Sequence, residues 1–375
     1  MAVIDFKKDD LDALLIGLGI LGTGGGGDPG WGRKIIENDF ARGRKHYFIE
    51  PENIADDAFI CSGGIMGSVK TFEGMSYDEI VEMWENDFVL TKVIEEMEKI
   101  TGKKLNYIIP FEAGGLNTPV IMTLAARLGI PVVNADGVGR AVPETQMSSF
   151  IGHGISLYPM PLVDRYGNTL VVKRAKTSTY ADEIGRVVVT KGGGYCGNSH
   201  YPMTGKQLKN SCIPGCITHS IEIGKTVLLA RAKGNDPVEA FVNVSDGFKL
   251  FRGEVEEMVG ENKGGFYITR TRAIGTGPYR GSRLEMVIKN ETMAVWVDER
   301  VKVVLPDKAC ILYSDSGEGI MSVDIKPGVD MTVVGVPAHQ RLRDAMRTEE
   351  GKQAFGGDRY GCSELVYTPI EELNN

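Results

Sequence analysis

The run Gly22-Thr23-Gly24-Gly25-Gly26-Gly27-Asp28-Pro29 constrains this chain more than any other stretch. Four consecutive glycines lose more conformational entropy on folding than any other run of that length. A globular chain keeps them where backbone must turn through positive φ or come into contact with a ligand. Leu11, Leu14, Leu15, Leu18 and Leu21 precede the run at helical spacing. Asp28 suits the N-cap and Pro29 the first turn of a helix that follows. The loop is therefore expected to join helix to helix, with the amides of Gly24, Gly25, Gly26 and Gly27 gathered at a positive helix end, ready for an anion or a developing oxyanion. A tight interhelical turn is the structural alternative. The run is no Walker loop, because no strand precedes it and no Gly-Lys-Ser/Thr closes it.

Downstream, short apolar runs alternate with glycine-rich turns and helical stretches. Ala58–Cys61 reads as a strand entering a turn at Ser62–Ser68, and a long helical region spans about Tyr77 to Ile100. Tyr107–Phe111 reads as a second strand, running into Glu112-Ala113-Gly114-Gly115-Leu116-Asn117-Thr118-Pro119 and a helix to Gly129. A third, Ile130–Asn134, ends at Asp136-Gly137-Val138-Gly139-Arg140. This βαβ order predicts a parallel sheet with right-handed crossovers. Ligands of such sheets bind beyond the carboxyl ends of the strands.

That rule selects the candidate site. Glu112 and Asp136 stand at two strand exits, where a carboxylate can act as general base on water or ligate a hard cation. Asn117 follows Glu112 at the next helix start. Arg140 offers a planar fork of donors for a substrate carboxylate, and Glu144 is either part of the site or the ion-pair partner of Arg140. The alternative is that Asp136 and Glu144 only cap helices and neutralise Arg140.

Beyond about residue 165 the pattern changes. Val171–Lys173 and Arg186–Thr190 read as strands, helices follow over about Thr204–Ser211 and Cys216–Ala232, and the rest is rich in short strands with turn signals. The expected fold class is α/β: an N-terminal parallel-sheet domain, residues 1–165, carrying the glycine-rich crevice, and a β-rich (α+β) domain, residues 166–375.

Composition narrows the function classes. The formal net charge is −8 and no basic run stands out, which excludes nucleic acid and anionic membranes as partners. No apolar run reaches membrane-spanning length and the N-terminus lacks a signal-peptide pattern, so a cytosolic protein is expected. Six cysteines in 375 residues do not make a disulfide framework. Cys196, His200, Cys212, Cys216 and His219 have zinc-like spacings, Cys-x3-His and Cys-x3-Cys-x2-His, although Pro214-Gly215 interrupts any continuous helical face. They leave open a divalent metal such as zinc.

Five segments together resemble a known family, the thiohydantoin desulfurase-like proteins (S-methyl-thiohydantoin desulfurase domain), which are associated with hydantoinase and oxoprolinase subunits. These are Leu21–Pro29, Glu112–Asn117, Asp136–Met147, Tyr201–Gly205 and Ile213–Gly215. The resemblance implies an N-terminal α/β domain, a C-terminal β-rich domain and action on a five-membered cyclic ureide or thioureide. On that reading Glu112 or Asp136 is the base, the glycine-loop amides take developing charge, and Arg140 anchors the ring substituent. The expected partners are a small-molecule substrate and, as assembly, a second copy or hydantoinase-type subunits. Two rival classes are a non-catalytic accessory subunit of such a complex and a small-anion binding protein.

Overall fold

The structure, a computed structural model, describes residues 3–67, 76–263 and 266–375. Its strands are β1 (Val3–Asp5), β2 (Tyr47–Ile49), β3 (Phe59–Gly67), β4 (Tyr107–Pro110), β5 (Val132–Val133), β6 (Ala135–Asp136), β7 (Met160–Asp164), β8 (Thr169–Val172), β9 (Tyr195–Thr204) and β10 (Ile213–Pro214) in the first part of the chain. Those of the second part are β11 (Phe248–Lys263), β12 (Phe266–Gly275), β13 (Arg283–Lys289), β14 (Glu291–Val297), β15 (Arg300–Val304), β16 (Lys308–Tyr313) and β17 (Asp330–Val336).

The first sheet runs β1-β2-β5-β4-β3-β9-β7-β8. Its four central strands, β2, β5, β4 and β3, are parallel, and antiparallel strands flank them on both sides. The expected parallel core is thus present within a larger mixed sheet. The turn between β7 and β8 holds residue 165, and β9 inserts between β3 and β7, so the first sheet continues beyond that position. The second sheet, β15-β14-β13-β12-β11-β17-β16, is antiparallel throughout and curls until β14 approaches β16. Side chains from both sheets share two of the three hydrophobic cores, and the third fills the curl of the second sheet.

Helix α1 (Leu11–Leu21) crosses the helix Cys216–Ala232 through small residues. A Cβ on Gly17 would lie 1.9 Å from the Ser220 carbonyl oxygen, and one on Gly224 the same distance from that of Ala13. The backbones touch there, and only glycine permits it. Helix α2 (Pro29–Ala41) begins as expected: Asp28 caps it by accepting from the Gly30 amide at 2.8 Å, with Pro29 in the first turn.

Three local expectations are corrected. Ser62–Gly67 is not a turn but the continuation of β3, and Ser68 lies outside the described residues. A Cβ on Gly63 would meet the Asn198 carbonyl oxygen at 2.6 Å, so this glycine lets β3 approach β9. Arg186–Thr190 is the end of helix α3 (Thr179–Lys191), whose Ala181, Gly185 and Val189 form a buried stripe at i, i+4 spacing. The long helical region divides into Tyr77–Asn86 and Val89–Thr101.

Candidate active site

The glycine run leaves α1, turns through Thr23 at φ 52° and Gly24 at φ 97°, and enters α2. Its backbone packs against that of Gly114-Gly115: a Cβ on Gly26 would sit 2.6 Å from the Gly114 Cα. The Gly26 carbonyl accepts from the Leu116 and Asn117 amides at 3.0 and 3.2 Å. One amide of the loop is engaged by an acid of the chain itself. The Gly26 amide donates to Glu291 Oε1 at 3.1 Å, and a Cβ on Gly25 would stand 1.8 Å from that oxygen. Glu291 opens β14, one residue after a hairpin turn at Asn290 with φ 59°. Thr292 donates to the Thr23 carbonyl at 2.9 Å, which ties the second sheet to the loop.

Across the cleft Glu112 leaves β4. Its Oε1 accepts from Asn117 Nδ2 at 2.7 Å and its Oε2 from the Val142 amide at 2.8 Å. Asn117 Oδ1 accepts from the Ile65 amide at 3.1 Å, so Asn117 fixes Glu112 against β3. Both Glu112 and Glu291 are 3% exposed, and among the described residues neither forms an ion pair. Burial pushes the Glu112 carboxyl up to about 7, against the hydrogen bonds from Val142 and Asn117 that favour its anion. Burial, reinforced by the charge of Glu112, holds Glu291 well above the usual carboxylate range. The two acids, Asn117 and the Gly26-Gly27 backbone line one cavity of about 90 Å³ at the carboxyl ends of β3 and β4, together with Asn198 and His200 of β9.

Other expected site residues sit beside the cleft with different tasks. Asp136 is not among the residues lining it. Its Oδ1 accepts from the Val138 and Gly139 amides at 2.7 and 2.5 Å, shaping the turn after β6, and burial raises its pKa to about 6. Arg140 is fully buried, and its fork is already engaged. It donates to the carbonyls of Ala141, Asp307 and Thr292 and to Thr23 Oγ1, all at 2.8–2.9 Å. Burial lowers its pKa to about 10. Rather than meeting a substrate carboxylate, it pins the glycine loop to the second sheet. Glu144 lines the cleft wall, but its partners are Lys289 and Arg359 rather than Arg140. Although burial opposes it, these two cations hold the Glu144 pKa below the usual range. Asp28 stays with α2, where its second oxygen accepts from the Tyr77 hydroxyl.

The cysteine–histidine set does not assemble. Cys196 is buried in the apolar core, and Cys212 lies 3.7 Å from an Arg341 nitrogen. Cys216 lies 4.0 Å from Thr118 Oγ1, while His219 is exposed and contacts Glu222. All six thiols are buried and free. Burial pushes Cys196 and Cys212 up to about 12 and Cys216 well above its ordinary value, so none is poised as a thiolate. Among the described residues, no group of three or more His, Cys, Asp or Glu side chains is placed to hold a metal ion, and the zinc-like spacing finds no counterpart in space. His200 alone of the five reaches the cleft. Burial lowers its pKa to about 3, so the imidazole is neutral at physiological pH.

Sequence reasoning missed Glu291, Thr145, Asn198 and Arg186 as cleft residues. The only local signal for Glu291 was a tight Asn290 turn between two strands, and nothing in it pointed to the glycine loop 265 residues away. Arg186 forms cleft wall, donating to the Gly67 and Pro143 carbonyls at 3.2 and 2.6 Å, with its guanidinium 4.2 Å from the Phe266 ring centroid.

Two family profiles together cover most of the chain. The profile described as the S-Me-THD-like N-terminal domain matches residues 9–174, and that of the S-Me-THD-like C-terminal domain matches residues 176–370. No curated protein matches the chain. The crystal structure of a protein from Chromobacterium violaceum is similar over 98% of this chain and 100% of its own, with a TM-score of 0.78 at 21% identity. That likeness concerns the fold. No helix among the described residues is long and apolar enough to cross a membrane.

Proposed function

The chain belongs to the S-Me-THD-like family, and from that premise we propose that it hydrolyses the carbon–sulfur bond of a five-membered thiohydantoin-type ring, with Glu112 as base and Glu291 as acid. One observation carries the reading: two buried carboxyl groups share one cleft with no ion-pair partner among the described residues, and burial raises both, Glu291 further through the charge of Glu112. Pairs of acids whose environments set their pKa values apart are what acid–base chemistry near neutral pH requires.

The steps balance with these two groups. Glu112, ionised, takes a proton from water as its oxygen bonds to the thiocarbonyl carbon. The π electrons move to sulfur, which takes the proton held by Glu291. Collapse of the tetrahedral centre breaks the carbon–sulfur bond, and Glu112 returns its proton to the departing sulfur. The new hydroxyl gives its proton to Glu291 as the carbonyl forms. Water is consumed, hydrogen sulfide leaves, and both acids end as they began. Asn117 keeps Glu112 aimed, and Arg140 holds the loop that seats Glu291.

The test is sulfide release and mass of the ring product when purified protein meets thiohydantoins. Turnover by the wild type, lost in a folded Glu112→Gln protein, supports the reading. Ring binding with no sulfide release turns it into a binding protein.

A further inference from the structure

The lining of the cleft carries polar atoms that no described residue satisfies. Asn198 on β9 is 4% exposed, and its Oδ1 is buried without a hydrogen-bond partner. His200, two residues along the same face, is 1% exposed with Nδ1 unpartnered. Thr145 is 6% exposed with a free Oγ1, and Glu291 Oε2 is likewise unpaired. All four residues line the same cavity. Buried polar groups are nearly always hydrogen-bonded, and leaving one unpaired is costly. Four such atoms around one cavity therefore point to a polar ligand rather than to packing.

We propose that Asn198 is the specificity residue of this cleft, its carboxamide pairing side by side with the cyclic amide edge of the ring, N–H to Oδ1 and carbonyl to Nδ2. The inference rests on the ring class proposed above. A carboxamide presents one acceptor and two donors in a plane, which matches an adjacent N–H and C=O in the way Asn meets the edge of adenine. His200 and Thr145 complete the wall. The imidazole stays neutral in its buried position, offering one donor and one acceptor without placing a cation beside Glu112 and Glu291. Asn198 Oδ1 takes no part in the Glu112–Asn117 or Gly26–Glu291 hydrogen bonds, which leaves it for recognition while those groups move protons.

Hydantoin, which has no sulfur to lose, separates binding from turnover. Its affinity for the wild-type protein is measured by calorimetry beside that of the analogue methylated at the ring nitrogen between the two carbonyls, and both are repeated with Asn198→Ala. The expected result is that methylation and Asn198→Ala each weaken binding about tenfold or more. In the variant, methylation then has little further effect, because the same hydrogen bonds are already gone. Circular dichroism of Asn198→Ala, with Asn198→Ser as the milder variant, establishes that both remain folded. Hydantoin bound equally well by wild type, Asn198→Ala and Asn198→Ser overturns the role of Asn198 while leaving the ring class standing. Failure of the wild type to bind either hydantoin or thiohydantoin overturns both.

Discussion

Glu144 and Glu291 are both buried acids lining the same cleft, and their surroundings give them opposite characters. Glu144 meets Lys289 at 2.5 Å, the Arg359 guanidinium, and Gln146 Nε2 at 2.9 Å. Its cations keep it ionised despite burial. Glu291 meets one backbone amide and has its other oxygen unpaired, so burial keeps it protonated. The difference separates an acid that braces the wall from one that can move a proton. Glu112 belongs with Glu291, because its two donors are neutral.

Four substitutions test that division, and the first should act most strongly. Glu112→Gln keeps the shape of the side chain and removes its proton chemistry, so turnover should fall on the order of 10²- to 10⁴-fold without loss of fold. Steady-state sulfide release checks this, and activity near wild type would move the base elsewhere. Glu144→Ala should act on stability instead. Removing the partner of buried Lys289 and half-buried Arg359 costs about 3–5 kcal/mol, read from denaturant midpoints. A smaller loss would mean that Lys289 and Arg359 find other partners.

Gly25→Ala probes the seat of Glu291. The new methyl would occupy the position of the Glu291 carboxylate, and the displaced acid should reduce turnover on the order of 10²-fold. Unchanged kinetics would return the loop to a purely architectural turn. His219→Ala should do least: the side chain is exposed, its one contact is Glu222, and stability should stay within about 0.5 kcal/mol with activity intact. A marked loss would revive the cysteine–histidine region as a site.

The same contrast explains how much of the molecule was legible in the sequence. The glycine loop, its flanking helices and the Asp28 cap were readable because each depends on residues a few positions apart. Glu112 and Asn117 were readable from the rule that strand exits line the crevice. The tasks of Arg140 and Glu144 were not, since their partners Asp307, Thr292, Lys289 and Arg359 come from the second half of the chain. Local propensity also misled. The Val187-Val188-Val189 run favours a strand in isolation, yet it lies in α3, where Val187 points to solvent and Val189 inward. Glu291 is the clearest loss, because only the tertiary fold brings its hairpin to Gly26.

The central claim is that proton affinity, not position alone, distinguishes these acids, and it has a consequence for stability. Burial raises Glu112 to about 7 in the folded protein, against 4.5 for an ordinary glutamate, so between these values the folded state holds a proton that the unfolded chain releases. Its stabilisation is full below about pH 4.5 and lost as pH rises through about 7, roughly 3 kcal/mol in all. Glu144 has the reverse sign: its ion pairs stabilise above its unfolded pKa and fail as pH falls through its lowered folded value. The most direct measurement is carboxyl carbon-13 NMR titration of the glutamates in labelled protein, assigned with Glu112→Gln, Glu291→Gln and Glu144→Gln. The account predicts one carboxyl titrating near 7 that vanishes in Glu112→Gln, one higher that vanishes in Glu291→Gln, and one below the ordinary range that vanishes in Glu144→Gln. Glu112 and Glu291 both titrating in the ordinary carboxylate range would contradict it.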